Sequence, residues 1–407
     1  VAEWRYVEYQ ELASQERSAF SMGPFGSKIT KENYVAAGVP VVRGVNLAHG
    51  IFVDDDFVFV TDEKADEIMS ANVEPGDLIF THRGTIGQVS MIPRVPMFDR
   101  YVIGSSQVKT RLDETLARPE FYYYWFRSSE GQRSLLANAS TVGVPGIATP
   151  LTSIRKLMVP LPPRGEQDEI VAVLGSLDDK IVSNECIAAT VDDLTSCLYR
   201  RAVEGSDGVR NLLLGEIADV NQVAAKPKAD GILRYVDIAA VGVGVYDWPE
   251  RILWRNAPGR ARRKASAGDT IWSTVRPNRR SHAFVLDTDP ELVFSTGLAV
   301  LSPRGVGPAL LYEVTRAIEF QNYLENVAEG SAYPAVRAER FKQAPVVLPT
   351  SEDCDRFEGV AMELRLRSHQ AQVESRALAA LRDTLLPQLM TGKLRVRDAA
   401  KIVEGAV

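Results

Sequence analysis

With 407 residues, 45% hydrophobic and 25% charged, the chain is long enough for two domains with proper cores and has the make-up of a soluble globular protein. It has no run of 18 apolar residues, which excludes a transmembrane helix, and its net charge of −6 argues against indiscriminate nucleic-acid binding. Three cysteines, Cys186, Cys197 and Cys354, lack metal-ligand spacing and point to a reducing, cytoplasmic setting.

The N-terminal VAEWRYVEYQELAS has three glutamates in its first eleven residues and no apolar segment, so no ordinary signal peptide is expected. Residues 1–150 read as a mixed α and β domain. FSMGPFGSKIT, from Phe20, combines Gly23, Pro24 and Gly26 with Lys28. It is either a loop whose amides face a phosphate or a structural turn. VPVVRGVNL reads as a buried strand with Arg43 and Asn46 projecting from its polar tip. From Phe52 to Glu74 the chain is acidic and loop-like apart from FVFV. DLIFTHRGTIGQVSMIP, from Asp77, sets Thr81, His82, Arg83, Thr85 and Gln88 between apolar stretches, and Gly84 and Gly87 open a hairpin or kink. Such a loop suits reading base edges, and equally any ligand. FYYYWFRS, from Phe121, is too continuously aromatic for an exposed helix and is read as core, with one face available to a partner.

After Pro162 and Pro163, Ile170, Leu174, Leu177, Ile181, Asn184, Ala188, Val191, Thr195 and Leu198 recur at alternating spacings of three and four. This predicts one helix of about 35 residues, roughly 50 Å long, with an apolar seam that another helix must cover. Cys186 and Cys197, eleven residues apart, are read as packing on one face. The covering helix is expected downstream, where Val360, Leu364, Arg367, Ala371, Glu374, Leu378, Leu381 and Leu385 repeat the alternation.

The second half restates the plan. LLLGEIADV, from Leu212, starts it and ILRYVDIAAVGVGV supplies the buried strand. Between Arg251 and His282 lie nine Arg or Lys residues against the single acid Asp269, a bias that calls for a polyanion or an acidic partner surface. Arg260, Arg262, Arg263 and Lys264 fall in a loop without apolar alternation and suit phosphates. Thr274, Arg276, Asn278, Arg279 and Arg280 follow an apolar strand, as Thr81 to Thr85 do, and suit base edges. His282 could serve as a base, but a histidine among arginines is more often a contact or solvated residue.

Landmarks repeat in order: Leu161-Pro162 and Leu348-Pro349 are 187 positions apart, PGDLIFTHRG and AGDTIWSTVRP 192, and VNL and VDI 191. An internal duplication follows. The three-glycine dinucleotide fingerprint, GxxxxGK[ST], the Asn-Pro-Pro-Tyr or Asp-Pro-Pro-Tyr element and a Pro-Asp…Glu-x-Lys nuclease pattern are all absent. The chain reads as one that binds and arranges rather than reacts.

GPFGSKIT, GVPVVRGVNL, GDLIFTHRGTIGQV, PLPPRGEQDEI and the closing LLPQLMTGKLRV together resemble the specificity subunit of type I restriction-modification systems over nearly the whole length. The second half departs, with TSEDCDRFEGV for the PP-x-x-EQ form and VRPNRR where the first half has Arg-Gly-Thr. The resemblance implies an α+β fold: two mixed α/β target-recognition domains joined by two long antiparallel coiled-coil helices, with an internal pseudo-two-fold repeat. The expected boundaries are 1–150 for the first recognition domain, 151–205 for a central spacer region, 206–345 for the second recognition domain and 346–407 for a distal spacer and tail. Ile170, Leu174, Leu177, Ile181, Val191, Leu198, Val360, Leu364, Ala371, Leu378, Leu381 and Leu385 form the expected helix seam. It also implies a non-catalytic, sequence-specific DNA-binding chain that reads a bipartite duplex target. Two modification subunits would supply S-adenosylmethionine for adenine methylation, and motor-endonuclease subunits would use ATP and Mg, with no cofactor bound by this chain. Two alternatives are a scaffold joining two ligand-binding domains through a coiled coil, and a freestanding nuclease using His82 or His282. The missing paired carboxylates oppose the nuclease.

Overall fold

The computed structural model describes residues 4–50, 52–140, 143–227, 230–330 and 333–405. The chain divides into two compact units, Val1–Ile181 with Ala377–Val407, and Val182–Arg376.

In the first unit, Phe20–Met22, Gln107–Thr110, Leu78–Thr81 and Val89–Met91 form an antiparallel sheet in that order. A second sheet runs Val58–Val60, Val39–Val42, Tyr101–Ile103, Asn72–Val73, its middle pair parallel. Helix Pro119–Arg127 covers the first sheet with Phe121, Tyr122, Trp125 and Phe126 fully buried. Such rings bury about 150–250 Å² each, and Phe126 meets Phe80 edge-on at 4.8 Å. The acidic stretch is not all loop: Thr61 caps a helix Asp62–Glu67 by accepting from the Lys64 amide at 3.2 Å. An N-cap before a charged, non-periodic turn leaves no hydrophobic pattern to read.

The second unit has the same topology. Its sheets run Ala218–Val220, Leu298–Pro303, Thr270–Ser273, His282–Phe284, and Arg251–Leu253, Ile232–Val236, Leu292–Ser295, Ala261–Arg263, again with one parallel pair in the middle. Each strand holds the place of its counterpart in the first unit, so the duplication is one of fold. In each unit a short antiparallel ribbon leads into a long helix: Arg5–Glu8 pairs with Met158–Leu161, and Arg210–Leu213 with Pro345–Leu348.

The long helices are Arg164–Glu204, of 41 residues, and Ser351–Met390, of 40. Each spans about 60 Å at 1.5 Å per residue. They pack on one another in both units. In the first, Ile170, Leu174 and Leu177 share a core with Leu378, Leu385 and Leu389, and Arg382 meets Asp178 at 2.7 Å. In the second, Asn184 meets Glu374 at 2.8 Å and Asp192 meets Arg365 at 2.7 Å, so the pair is antiparallel.

Ile181, Val191 and Ala371 are buried, and Leu198, Leu364 and Leu381 are half-buried. Val360 is not a seam residue: it is 49% exposed, and Phe357 and Ala361 are buried in its place. Upstream of Ala371 the buried face includes the polar Arg365 and Ser368, so the apolar pattern points to the wrong phase there. Cys186 and Cys197 are exposed rather than packed, and Cys354 is buried.

The helix starts show what the duplication kept. Gln167 is fully buried; its Oε1 accepts from the Arg118 amide at 2.8 Å, and its Nε2 donates to Leu116 O at 3.2 Å and Pro162 O at 3.0 Å. At the position 187 residues on stands Cys354, whose Sγ donates to Pro349 O at 3.6 Å and accepts from Arg210 at 3.4 Å. The same spacing relates Asp178 to Arg365 and Arg382 to Thr195. The acid–base pair of the first unit is therefore replaced in the second by Arg365 donating to the Thr195 hydroxyl at 2.7 Å.

Candidate nucleic-acid interfaces

In the first unit three strands deliver their carboxyl ends to one place. Val39–Val42 leads to Arg43, Tyr101–Ile103 to the turn at 104–106, and Leu78–Thr81 to His82 and Arg83. Gly104 donates to Val42 O at 2.8 Å and His82 to Ser106 O at 2.9 Å, which ties the ends together. A cleft of about 520 Å³ lies over them, lined by Met22, Phe25, Ile29, His82, Arg83 and Ser105 among others. The GPFG segment closes one side. Gly23 is required there because a Cβ would sit 1.8 Å from Gly104 O, so this glycine serves packing, while Gly26 turns at φ +64. Lys28 is exposed on the same loop.

Several sequence-selected residues are occupied in holding this loop cluster. Asn46 does not project: it is buried, accepting from the Arg43 amide at 2.9 Å and donating to Val53 O at 3.2 Å and Asp55 O at 2.7 Å. Arg43 is half-buried and donates to Asp56 O at 2.7 Å. Thr81 is buried and donates to Gln88 Oε1 at 2.9 Å, and Gln88 donates to Gly44 O at 3.1 Å. A polar side chain buried beside free carbonyls is satisfied locally, whatever its reading potential. His82 is buried with Nε2 3.3 Å from Ser105 O, and burial holds its imidazole below the ordinary value. Arg83 and Thr85 are exposed.

The second unit gathers the equivalent strand ends. Thr274 donates both its amide and its hydroxyl to Gly297 O at 2.9 Å, and Thr296 donates to Arg260 O at 2.8 Å. Thr274 is thus a brace, whereas Asn278 and Arg279 are exposed. Arg280 lies 3.6 Å from Glu325.

The segment expected to be a basic loop is in part a strand, Ala261–Arg263, too short to show alternation and bulged against Leu292–Ser295. Lys264 donates to Pro290 O at 2.5 Å and Leu292 O at 2.8 Å, and Arg262 to Ala261 O at 2.8 Å; Arg263 is half-buried and Arg260 exposed. The charge bias is also partly answered from outside the segment, since Arg251 meets Glu291 at 2.8 Å.

His282 is neither solvated nor at the loop surface. It is buried, stacked on Trp272 at 4.6 Å, with Nδ1 2.6 Å from Arg280 O, and burial pushes its imidazole down to about 4. Among the described residues no group of three His, Cys, Asp or Glu side chains is arranged to hold a metal ion, and no helix is long and apolar enough to cross a membrane.

Sequence reasoning missed Phe25, Val144 and Tyr333, all exposed at the rims of these loops. The signal was available for the last two: VPGI at Val144 and YPAV at Tyr333 are 189 positions apart.

Residues 22–191 match the model of the type I restriction modification DNA specificity domain. A curated relative, the putative type I restriction enzyme MjaX specificity subunit of Methanocaldococcus jannaschii, is 24% identical over 182 residues, or 44% of this chain. The match spans 40% of that relative's length. The S subunit of the type I restriction-modification system from M. genitalium, a solved structure, covers 95% of this chain and 96% of its own at 15% identity and a TM-score of 0.59. That likeness is one of fold.

Proposed function

We propose that the chain belongs to the type I restriction-modification DNA specificity family, whose model residues 22–191 match, and that it is the sequence-reading, non-catalytic component of a cytoplasmic complex acting on duplex DNA. Each recognition domain, 1–150 and 206–345, reads one half of a bipartite target. The helical regions, 151–205 and 346–407, space the halves and hold two modification subunits that methylate adenine, and motor-endonuclease subunits join for cleavage. S-adenosylmethionine, ATP and Mg act in those partners.

The observation that carries this reading is the repetition of one fold whose strand ends present polar loops, differing in residues between the two units: the exposed Arg83 and Thr85 in one, the half-buried Arg276 with the exposed Asn278 and Arg279 in the other. Two loops of one architecture and different chemistry suit two different half-sites. Exposed side chains there can meet base edges, and the braced Thr81, Gln88 and Thr274 hold the loops in shape. Modified-base sequencing of host DNA with and without this chain tests the reading. One split adenine-methylated motif should vanish when the chain is removed; an unchanged methylation pattern refutes it.

A further inference from the structure

The loop of the second unit carries a feature its counterpart lacks. In the first unit Arg83 bridges Gly146 and the Gly84 amide donates to Pro145 O at 2.9 Å. In the second, Val275 bridges Ala335 and the Arg276 amide donates to Pro334 O at 2.7 Å. Gly84 and Arg276 therefore occupy one place. Gly84 has φ +88 and Arg276 has φ +52, a left-handed backbone that disfavours any side chain. A non-glycine residue kept at such a place points to a use for its side chain.

That side chain lies over Tyr333, with Cζ 4.8 Å from the ring centroid. Tyr333 is itself 69% exposed. Among the described residues no hydrogen bond or ion pair engages the Arg276 guanidinium. The two positions differ together between the units, Gly84 beside Val144 in one and Arg276 beside Tyr333 in the other.

We propose that Tyr333 is a positioning residue, holding the Arg276 guanidinium over its ring so that the N–H edge makes a bidentate contact to guanine in the second half-site. This rests on the sequence-reading role proposed above. Arg276 is half-buried; an arginine at a loop surface otherwise samples many rotamers, and a ring under the planar fork removes much of that freedom before binding. A phosphate contact needs only charge within reach, whereas guanine O6 and N7 need two donors in a fixed plane.

The test uses the full chain assembled with its modification subunits on a plasmid library of randomised sequence, with methylated positions read by sequencing. Arg276→Ala should lower the preference for one guanine about tenfold or more. Tyr333→Leu should lower it at that same position by about two- to fivefold. Tyr333→Phe should stay within about twofold of the parent, and all other positions should hold. Thermal unfolding of Tyr333→Leu should match the parent, as befits an exposed residue. Tyr333→Leu weakening every position alike, or leaving the guanine untouched while Arg276→Ala relaxes it, overturns the inference. So does a motif that ignores both variants, and in that case the reading role itself stands. A parent chain with no sequence preference removes that role and this inference together.

Discussion

Replacing Arg365 by methionine should open the second unit locally. Its guanidinium, 8% exposed, donates to Asp192 Oδ1 at 2.7 Å, to Thr195 Oγ1 at 2.7 Å and to Glu313, and lies 4.7 Å from the Tyr312 ring centroid. Arg316 meets Asp192 and, at 3.1 Å, Glu313. Two guanidiniums thus balance two carboxylates, one of them, Glu313, only 1% exposed. Methionine keeps most of the volume and leaves two acids to one cation. Breaking a buried pair costs about 3–5 kcal/mol. Arg316 and the hydroxyls of Thr195 and Ser196 remain on Glu313, which sets the expectation at the low end, about 3 kcal/mol. A chain of two units need not unfold in one step, so the assay is amide hydrogen exchange of helix Pro308–Arg316 in the full protein. That cost corresponds to exchange about 150-fold faster. Adding Glu313→Gln restores one acid to one cation and should recover about 1–3 kcal/mol. Acceleration of less than about fivefold by Arg365→Met would refute the closed network.

His282 should make the second unit acid-sensitive: burial lowers its folded value from 6.5 to about 4, so protonation favours the unfolded state and stability falls as pH drops through that window. The loss should reach about 2.4 kcal/mol and flatten in His282→Gln, read as exchange in the strand His282–Phe284 between pH 7 and 4.5. Gln167→Ala strands the Arg118 amide and two carbonyls at the first helix start and should cost about 2–3 kcal/mol by denaturant titration of the first unit's signal. Arg260→Ala should weaken binding of the assembled complex to every duplex alike and reduce the salt slope by about 0.9. A loss confined to one sequence would move Arg260 to base reading.

The duplication and the long helices were legible because their landmarks are backbone needs: proline stops, strand runs and a three-four repeat. What the landmarks do was less legible. Gln167 and Cys354 do the same job with different chemistry, so TSEDC looked like a departure when its cysteine still bonds the proline carbonyl. The seam failed at Val360 because the buried face is shifted by one residue, to Phe357, Ala361 and Arg365, and hydropathy cannot register the buried arginine that meets Asp192 and Glu313. At the candidate sites, polarity and a flanking glycine selected the right loops but not their roles. Asn46, Thr81, Gln88 and Thr274 face inward to carbonyls, and only long-range pairing decides which hydroxyl or amide is left facing out. Tyr333 lies outside every hydrophobic pattern and gains meaning only from the arginine above it.

The central claim is that the two units read separate half-sites. The most direct measurement grafts residues 206–345 from a relative with a different motif into this chain and sequences the modified bases of the host. One half of the methylated motif should change to that of the donor, with the other half and the gap between them intact. A change in both halves, or in neither while methylation persists, would contradict the account.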